Sequence, residues 1–194
     1  MKFMNKIIIG FLLFLIACHP DKNAIELNNI ACNLIVKGQY DSAKVLLIDA
    51  IKIDSTYNIA YNNLISVYDE LNDTFSVLRT CEKLLKVKPK LAEAWMGSGF
   101  VYYKYGDSIK SNSCFKKSLD LFNEQISNLK DTKFINANRI NKAVCLILLS
   151  KDSDGRFELR KLLKDCPEDS NIIRLFLNMS RDSIINLKTK VNMN

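Results

Sequence analysis

The sequence predicts an all-α fold: an α-solenoid of antiparallel helix pairs with a C-terminal capping helix or helix pair. Of its 194 residues, 48% are hydrophobic and 25% charged, which is typical of a folded globular protein. Only 6 Gly and 3 Pro are present, too few for the turns of a β-sandwich, barrel or propeller. Apolar residues recur at steps of three and four, the period of an amphipathic helix, and the whole pattern returns at a fixed interval.

Three windows, 24–57, 58–91 and 92–125, align position by position and define that interval. Each aligned column keeps one physical type, in the order large or aromatic, small, aromatic, turn former, small, large apolar. In the third window these columns are Trp95, Gly99, Tyr102, Gly106-Asp107, Ser111 and Phe115. Because one helix pair buries only part of its apolar face, we expect the copies to stack into a continuous core.

The turn formers predict where each helix of a pair ends and the next begins. Gly38, Asn72 and Gly106 are suited to close the first helix from a left-handed conformation, and the Asp, Thr or Ser that follows can cap the second. Small residues are expected where neighbouring helices approach closely. They are Ala31, Ala43, Ala50, Gly99, Ser111 and Ser118.

The remainder of the body is less regular. Residues 126–135 are predicted to form an insertion or an extended helix, and a fourth, divergent repeat is predicted over 136–169. Within it, Ser153 or Asp154 is expected to cap a helix after a turn. Residues 170–194 are predicted to form the capping helices and a C-terminal tail.

The repeat resembles the tetratricopeptide repeat (TPR), a pair of antiparallel helices of the same period. Its signature slots hold Pro89, Trp95, Gly99, Tyr102 and Phe115, whereas Ile65 stands in a normally small slot and Asn123 where proline is usual. The resemblance implies protein–protein interaction through a concave groove lined by the first helix of each pair. On this chain the implied groove residues are Asn28, Cys32, Asn62, Asn63, Ser66, Asp69, Met96, Phe100, Tyr103, Lys104, Ile140 and Val144.

Two further expectations concern that groove. Asn63 alone falls on an element of the carboxylate clamp that some members of the family use, so recognition of a C-terminal carboxylate is disfavoured. A mixed apolar and polar groove around Phe100 and Tyr103 fits an amphipathic or extended peptide better. Alternatively, Met96, Phe100 and Tyr103 simply pack against neighbouring helices or against the inserted segment.

The N-terminus has the composition of an export signal. Lys2 and Lys6 precede an apolar run over 7–17, which is too short for a permanent transmembrane helix. The last residues of this run together with Cys18 resemble the bacterial lipoprotein box. That resemblance implies a signal peptide over 1–17, a lipid on Cys18, a tether over 18–23 and a place in the cell envelope, on the outer-membrane or periplasmic side. An ordinary secretory signal is the alternative.

Catalytic and metal-binding patterns are absent from the sequence. The single histidine, His19, lies within the predicted tether, and no Cys-x-x-Cys pair occurs, so we expect no catalytic residues, metal or cofactor. The cysteines of the body are expected to be small buried hydrophobic residues, with disulfides left open. They are Cys32, Cys81, Cys114, Cys145 and Cys166.

Charge leaves two classes of function. The chain carries a formal net charge of +7 without a dense basic stripe, so nucleic acid is not expected as a partner. Because no catalytic pattern is found, a small-molecule substrate is not expected either. The first class is a lipid-anchored adaptor that binds a protein or peptide. The second is a structural or assembly lipoprotein that self-associates or supports an envelope complex.

Overall fold

The computed structural model describes residues 19–128 and 132–191. The predicted signal peptide over 1–17 and the lipid site at Cys18 lie outside these residues. Both stay predictions.

Ten α-helices follow one another in the described part of the chain. Their bounds are α1 Lys22–Val36, α2 Tyr40–Ile53, α3 Asn58–Glu70, α4 Thr74–Val87, α5 Ala92–Lys104, α6 Ser108–Asn128, α7 Thr132–Leu148, α8 Asp152–Asp165, α9 Ser170–Asn178 and α10 Arg181–Val191. A short 3-10 helix, Pro167–Asp169, joins α8 to α9. None of these helices is both long and apolar enough to cross a membrane.

The helices form sequential antiparallel pairs, which confirms the predicted fold class. The pairs are α1 with α2, α3 with α4, α5 with α6, and α7 with α8. Each pair also packs on the next through its second helix, so that α2 contacts α3, α4 contacts α5 and α6 contacts α7. The described buried residues form three hydrophobic clusters along the stack, each built from neighbouring helices, as expected for repeats that cannot bury their apolar faces alone.

The turns within the pairs follow the predicted backbone chemistry. Gly38, Asn72 and Gly106 have φ angles of 70°, 56° and 81°, the left-handed conformation that ends a helix without a Cβ clash in glycine and is tolerated by asparagine. The carboxylates of Asp73 and Asp107 accept backbone N–H bonds from the first turns of α4 and α6. These two caps confirm the prediction for the second and third copies, whereas α2 of the first copy begins after Gln39 and has no side-chain cap.

The cap predicted for the fourth repeat is wrong. Helix α8 begins at Asp152, so Ser153 and Asp154 lie inside its first turn, and no side chain caps it. Instead Ser150 takes the left-handed conformation, with φ of 62°, and ends the preceding turn. Acidic residues in a first helical turn still interact favourably with the helix dipole.

Small residues bring the helices of a pair into close contact. Gly99 faces the Phe115 ring so closely that a Cβ on it would stand 2.5 Å from Phe115 Cε1. The hydroxyls of Ser111 and Ser118 are buried and donate to the carbonyls of Gly99 and Ala92 at 2.8 and 2.9 Å. The close approach predicted for Gly99, Ser111 and Ser118 is confirmed, and the two buried serine hydroxyls both have a partner.

Candidate functional site

A cavity of about 340 Å³ opens between α3 and α5, with α4 beneath it and α7 at one end. We call this cavity the open groove. The residues that line it are Asn62, Asn63, Ile65, Ser66, Asp69, Val77, Leu84, Glu93, Met96, Gly97, Ser98, Phe100, Val101, Lys104, Tyr105 and Asn141. It thus contains seven of the residues that the sequence places in a partner groove: Asn62, Asn63, Ser66, Asp69, Met96, Phe100 and Lys104.

The α3 wall of the open groove is polar. Asn62, Ser66 and Asp69 recur at helical spacing and lie on one face of α3. The Ser66 hydroxyl donates to the Asn62 backbone carbonyl at 3.2 Å, and the Asn62 side chain is exposed. This wall therefore offers an amide that can both donate and accept hydrogen bonds.

The α5 wall has two parts: an apolar surface at the bottom of the groove, which we call the floor, and an unfilled space beside Gly97, which we call the gap. Met96 and Phe100 are each only 6% exposed and belong to the hydrophobic core, where the Phe100 ring meets the Phe115 ring edge-on with 5.3 Å between centroids. Met96 and Phe100 therefore pack in the core and also line the open groove. Between them, Gly97 is exposed, and a Cβ built on it meets no atom within 4 Å.

A charged cluster joins the two walls. Lys104 Nζ on α5 lies 2.7 Å from Asp69 Oδ1 and 2.5 Å from Asp69 Oδ2, and the Tyr105 hydroxyl donates to Oδ1 at 2.5 Å. Burial, and after it the hydrogen bond to Asp69, raises the pKa of Tyr105 to about 12. Because Asp69 balances its charge, Lys104 is already paired within the chain and is not free to bind a carboxylate of a partner.

Asn28 does not belong to the groove, contrary to the prediction. Its side chain is only 3% exposed, and its Oδ1 accepts from Asn63 Nδ2 at 2.8 Å. The same Asn63 Nδ2 lies 3.3 Å from Cys32 Sγ. The single amide that resembled a carboxylate clamp is therefore already engaged in a contact between α1 and α3.

Tyr103 is half-buried and lies beside α10. The Arg181 guanidinium of α10 stands 5.4 Å from the centroid of the Tyr103 ring. Ile140 and Val144 on α7, also predicted to face the groove, are buried in the core. Helix α10 also packs against α5 and α7, and its Ile184 and Ile185 belong to the same core cluster, a contact that the repeat pattern does not encode.

Nine of the 16 residues that line the open groove were not predicted to face it, and three of these nine mark distinct parts of the groove. Gly97, Tyr105 and Asn141 line the open groove, at its gap, its charged cluster and its α7 end. Gly97 lies one helical turn after Glu93 on α5, so helical spacing could have placed both residues on the same face. Tyr105 follows α5 and Asn141 lies on the next pair, so their positions depend on how the pairs stack.

The five described cysteines are all free thiols. Burial raises the pKa of Cys81 and Cys145 to about 12 and that of Cys114 to about 11, so these thiols stay protonated and unreactive at neutral pH. Cys166 is also buried, whereas Cys32 is only half-buried, which differs from the expectation for that residue. Across the described ranges, no group of three His, Cys, Asp or Glu residues could hold a metal ion.

Comparisons with known proteins give structural likenesses only. No protein-family model matches the chain, and no curated protein matches its sequence. The chain is similar to the first TPR of Spaghetti (RPAP3) bound to the HSP90 peptide SRMEEVD, with a TM-score of 0.47 and 16% identity over 62% of this chain and 94% of that one. It is also similar to the Sgt2 TPR domain from Aspergillus fumigatus, with a TM-score of 0.48 and 16% identity over 78% of this chain and 83% of that one. For MamA the TM-score is 0.49 and the identity 14%, over 77% of this chain and 81% of that one.

Proposed function

We propose that this chain is a TPR-type adaptor of the bacterial cell envelope, which binds a segment of a partner protein in the open groove and is moored to a membrane by a lipid on Cys18. The observation that carries the proposal is the open groove itself, a cavity of about 340 Å³ between α3 and α5. Ligand-binding cavities commonly measure about 300–1,000 Å³, so the groove holds a few residues of a peptide.

The lining selects the chemistry of that segment. The exposed amide of Asn62 can pair with a peptide backbone, and the floor of Met96 and Phe100 accepts an apolar side chain. Lys104 is already paired with Asp69, and the exposed Glu93 is not given an ion-pair partner by the described residues. The favoured ligand is therefore an extended or helical segment with one apolar anchor, neutral or basic in charge.

Gly97 provides a way to fill the groove without disturbing the core. Gly97→Leu should place an isobutyl group in the gap, whereas Gly97→Ala adds one methyl group to space that is empty of neighbours. Both changes replace a poor helix former by a better one, so both variants should fold. Loss of partner binding in Gly97→Leu but not in Gly97→Ala is the expected result.

The partner can be captured by photo-cross-linking in cells that produce the full chain. A photoreactive residue at position 62 should give an adduct in the Gly97→Ala background and none in the Gly97→Leu background. The same residue at position 116, where Lys116 is exposed on α6 away from the groove, serves as the control site. Equal adducts in both backgrounds, or an adduct from position 116 alone, would contradict groove binding.

The membrane anchor is a separate part of the proposal. Hydrophobic burial of acyl chains, at about 0.8 kcal/mol per methylene, would hold the folded body at the membrane. We expect a clickable palmitate analogue to label the wild-type chain in bacteria and the label to disappear in Cys18→Ser, with release from the membrane fraction. A label that persists in Cys18→Ser would overturn lipidation at this residue.

Self-association is the second candidate, and exposed apolar side chains on the C-terminal helices favour it. Phe157 on α8 is 66% exposed, and Ile172 and Leu175 on α9 are also exposed. Light scattering of the Cys18→Ser chain over a wide concentration range separates the candidates. A mass that rises with concentration and falls back in Phe157→Ser would favour an assembly role, and a constant monomer mass would favour the adaptor.

A further inference from the structure

The last helix of the chain, α10, lies on the side of the stack that carries the open groove. It contacts α5 and α7, the first helices of two successive pairs. Its Ile184 and Ile185 side chains are buried and belong to the same core cluster as Phe100, Ile140 and Val144. The helix therefore covers one half of the concave side, the side that the TPR resemblance implies to be a binding surface.

Polar contacts orient α10 on that surface. Arg181 Nε donates to the backbone carbonyl of Leu148 at the end of α7, at 2.8 Å, while its guanidinium faces the Tyr103 ring at 5.4 Å. A cation at a helix C-terminus and above an aromatic face is favourable in both places. One arginine and two isoleucines thus make up the recognition pattern, with the isoleucines three and four residues after the arginine on one helical face.

The connection to α10 is short and separately secured. Only Met179 and Ser180 join α9 to α10, and Met179 is extended. Arg156 on α8 donates to the backbone carbonyls of Leu177 and Met179, the latter at 2.8 Å, which fastens the end of α9 to α8. Because α9 is fastened independently, α10 can leave its surface while α9 stays in place.

We propose that the surface of α5 and α7 beneath α10 is a helix-binding site, that α10 fills it within the chain, and that an amphipathic partner helix displaces α10. The chemistry of the partner is given by α10 itself: a basic residue followed three and four residues later by two aliphatic ones. Such a partner must bind the uncovered state better than the covered one. The proposal goes beyond the open groove and does not require that groove to bind anything.

The test uses a labelled peptide of residues 180–194 as the probe. In the full chain carrying Ile184→Asp and Ile185→Asp, α10 should be released, and the peptide should bind at least about tenfold more tightly than it binds the wild-type chain, because apparent affinity scales with the uncovered fraction. A peptide with the same two substitutions should bind neither chain. Equal affinity for both chains would overturn the proposal.

Matched variants separate site chemistry from general loosening. Asp182→Asn, on the exposed face of α10, should behave as the wild type. Tyr103→Ala added to the released chain should weaken peptide binding, since Arg181 of the peptide loses its ring.

Hydrogen exchange of the wild-type chain covers the case in which the released chain fails to fold. Amides of α10 should exchange by local opening, faster than those of α5 and α7. Exchange of α10 only together with the whole chain would overturn the proposal. A dimer that forms by exchange of α10 between copies, detected as doubled mass, would also overturn it, because the occupant would then be a second copy.

Discussion

The two halves of the concave side share one helix-pair architecture but differ in what covers them. Tyr103 and Lys104 are adjacent on α5, yet Lys104 reaches back to Asp69 on α3 beside the open groove, whereas Tyr103 lies beneath Arg181 of α10. In the open half the first helices are joined by polar contacts and leave a cavity. In the covered half a further helix seals an apolar surface.

This difference teaches that a repeat determines which side chains face the concave side but not whether they are accessible. Each copy contacts mainly its neighbours, so one stretch of the stack can be open and another closed without a change in architecture. The segment that closes it has no repeat pattern of its own. Which part of the concave side is accessible therefore depends on the irregular C-terminal end as well as on the repeats.

The largest expected effect comes from the floor that both halves share. Phe115 is fully buried, supports Phe100 beneath the open groove and belongs to the core that α10 covers. Phe115→Ala should lower the free energy of unfolding by about 3–5 kcal/mol in urea denaturation. Phe75→Ala, at a side chain that is 73% exposed, should change it by less than about 0.5 kcal/mol. Similar losses in the two variants would mean that the shared floor is not a core.

Two helical glycines differ in how closely atoms of neighbouring helices approach them. A Cβ on Gly155 would stand 2.6 Å from the Ala143 carbonyl oxygen on α7, whereas a Cβ on Gly97 meets nothing. Gly155→Ala should therefore destabilise the chain by about 1–3 kcal/mol through overpacking. Gly97→Ala should stabilise it by about 1 kcal/mol, because alanine is the better helix former. The urea midpoints should move in opposite directions; movement in the same direction would contradict the assigned packing.

Local chemistry explains what the sequence predicted correctly. The left-handed turns at Gly38, Asn72 and Gly106 depend on a few adjacent residues, and the close packing at Gly99 depends on a fixed column of the repeat. The position of α10 depends on contacts between distant segments with no periodicity, so the covering of Tyr103 could not be inferred. The pairing of Asn28 with Asn63 has the same origin, since it joins residues of two different copies.

A smaller effect is expected at the charged cluster between the walls of the open groove. Asp69→Ala removes the acceptor of both Lys104 and the Tyr105 hydroxyl. Because the cluster is partly exposed, the loss of stability should be about 1 kcal/mol, measured in urea at neutral pH and low salt. The released Lys104 should also let the groove bind an acidic peptide that the wild type rejects. If stability and charge preference both stay unchanged, the cluster does not join the two walls of the groove.

The smallest effect concerns alkaline pH and follows from the same cluster. The pKa of Tyr105 is raised to about 12 in the folded chain, chiefly by burial and then by its hydrogen bond to Asp69, against an ordinary value of about 10. The folded state therefore favours the neutral phenol. This contribution is fully present below pH about 10 and is lost as pH rises to about 12. Other buried phenols and thiols titrate in the same range, so the difference between the wild type and Tyr105→Phe isolates Tyr105. Because the side chain is partly solvent-accessible, that difference should stay below about 1 kcal/mol, with the wild type losing more stability between pH 9 and about 12. An identical alkaline loss in the two chains would show that the phenol is not held neutral by its place beside the open groove.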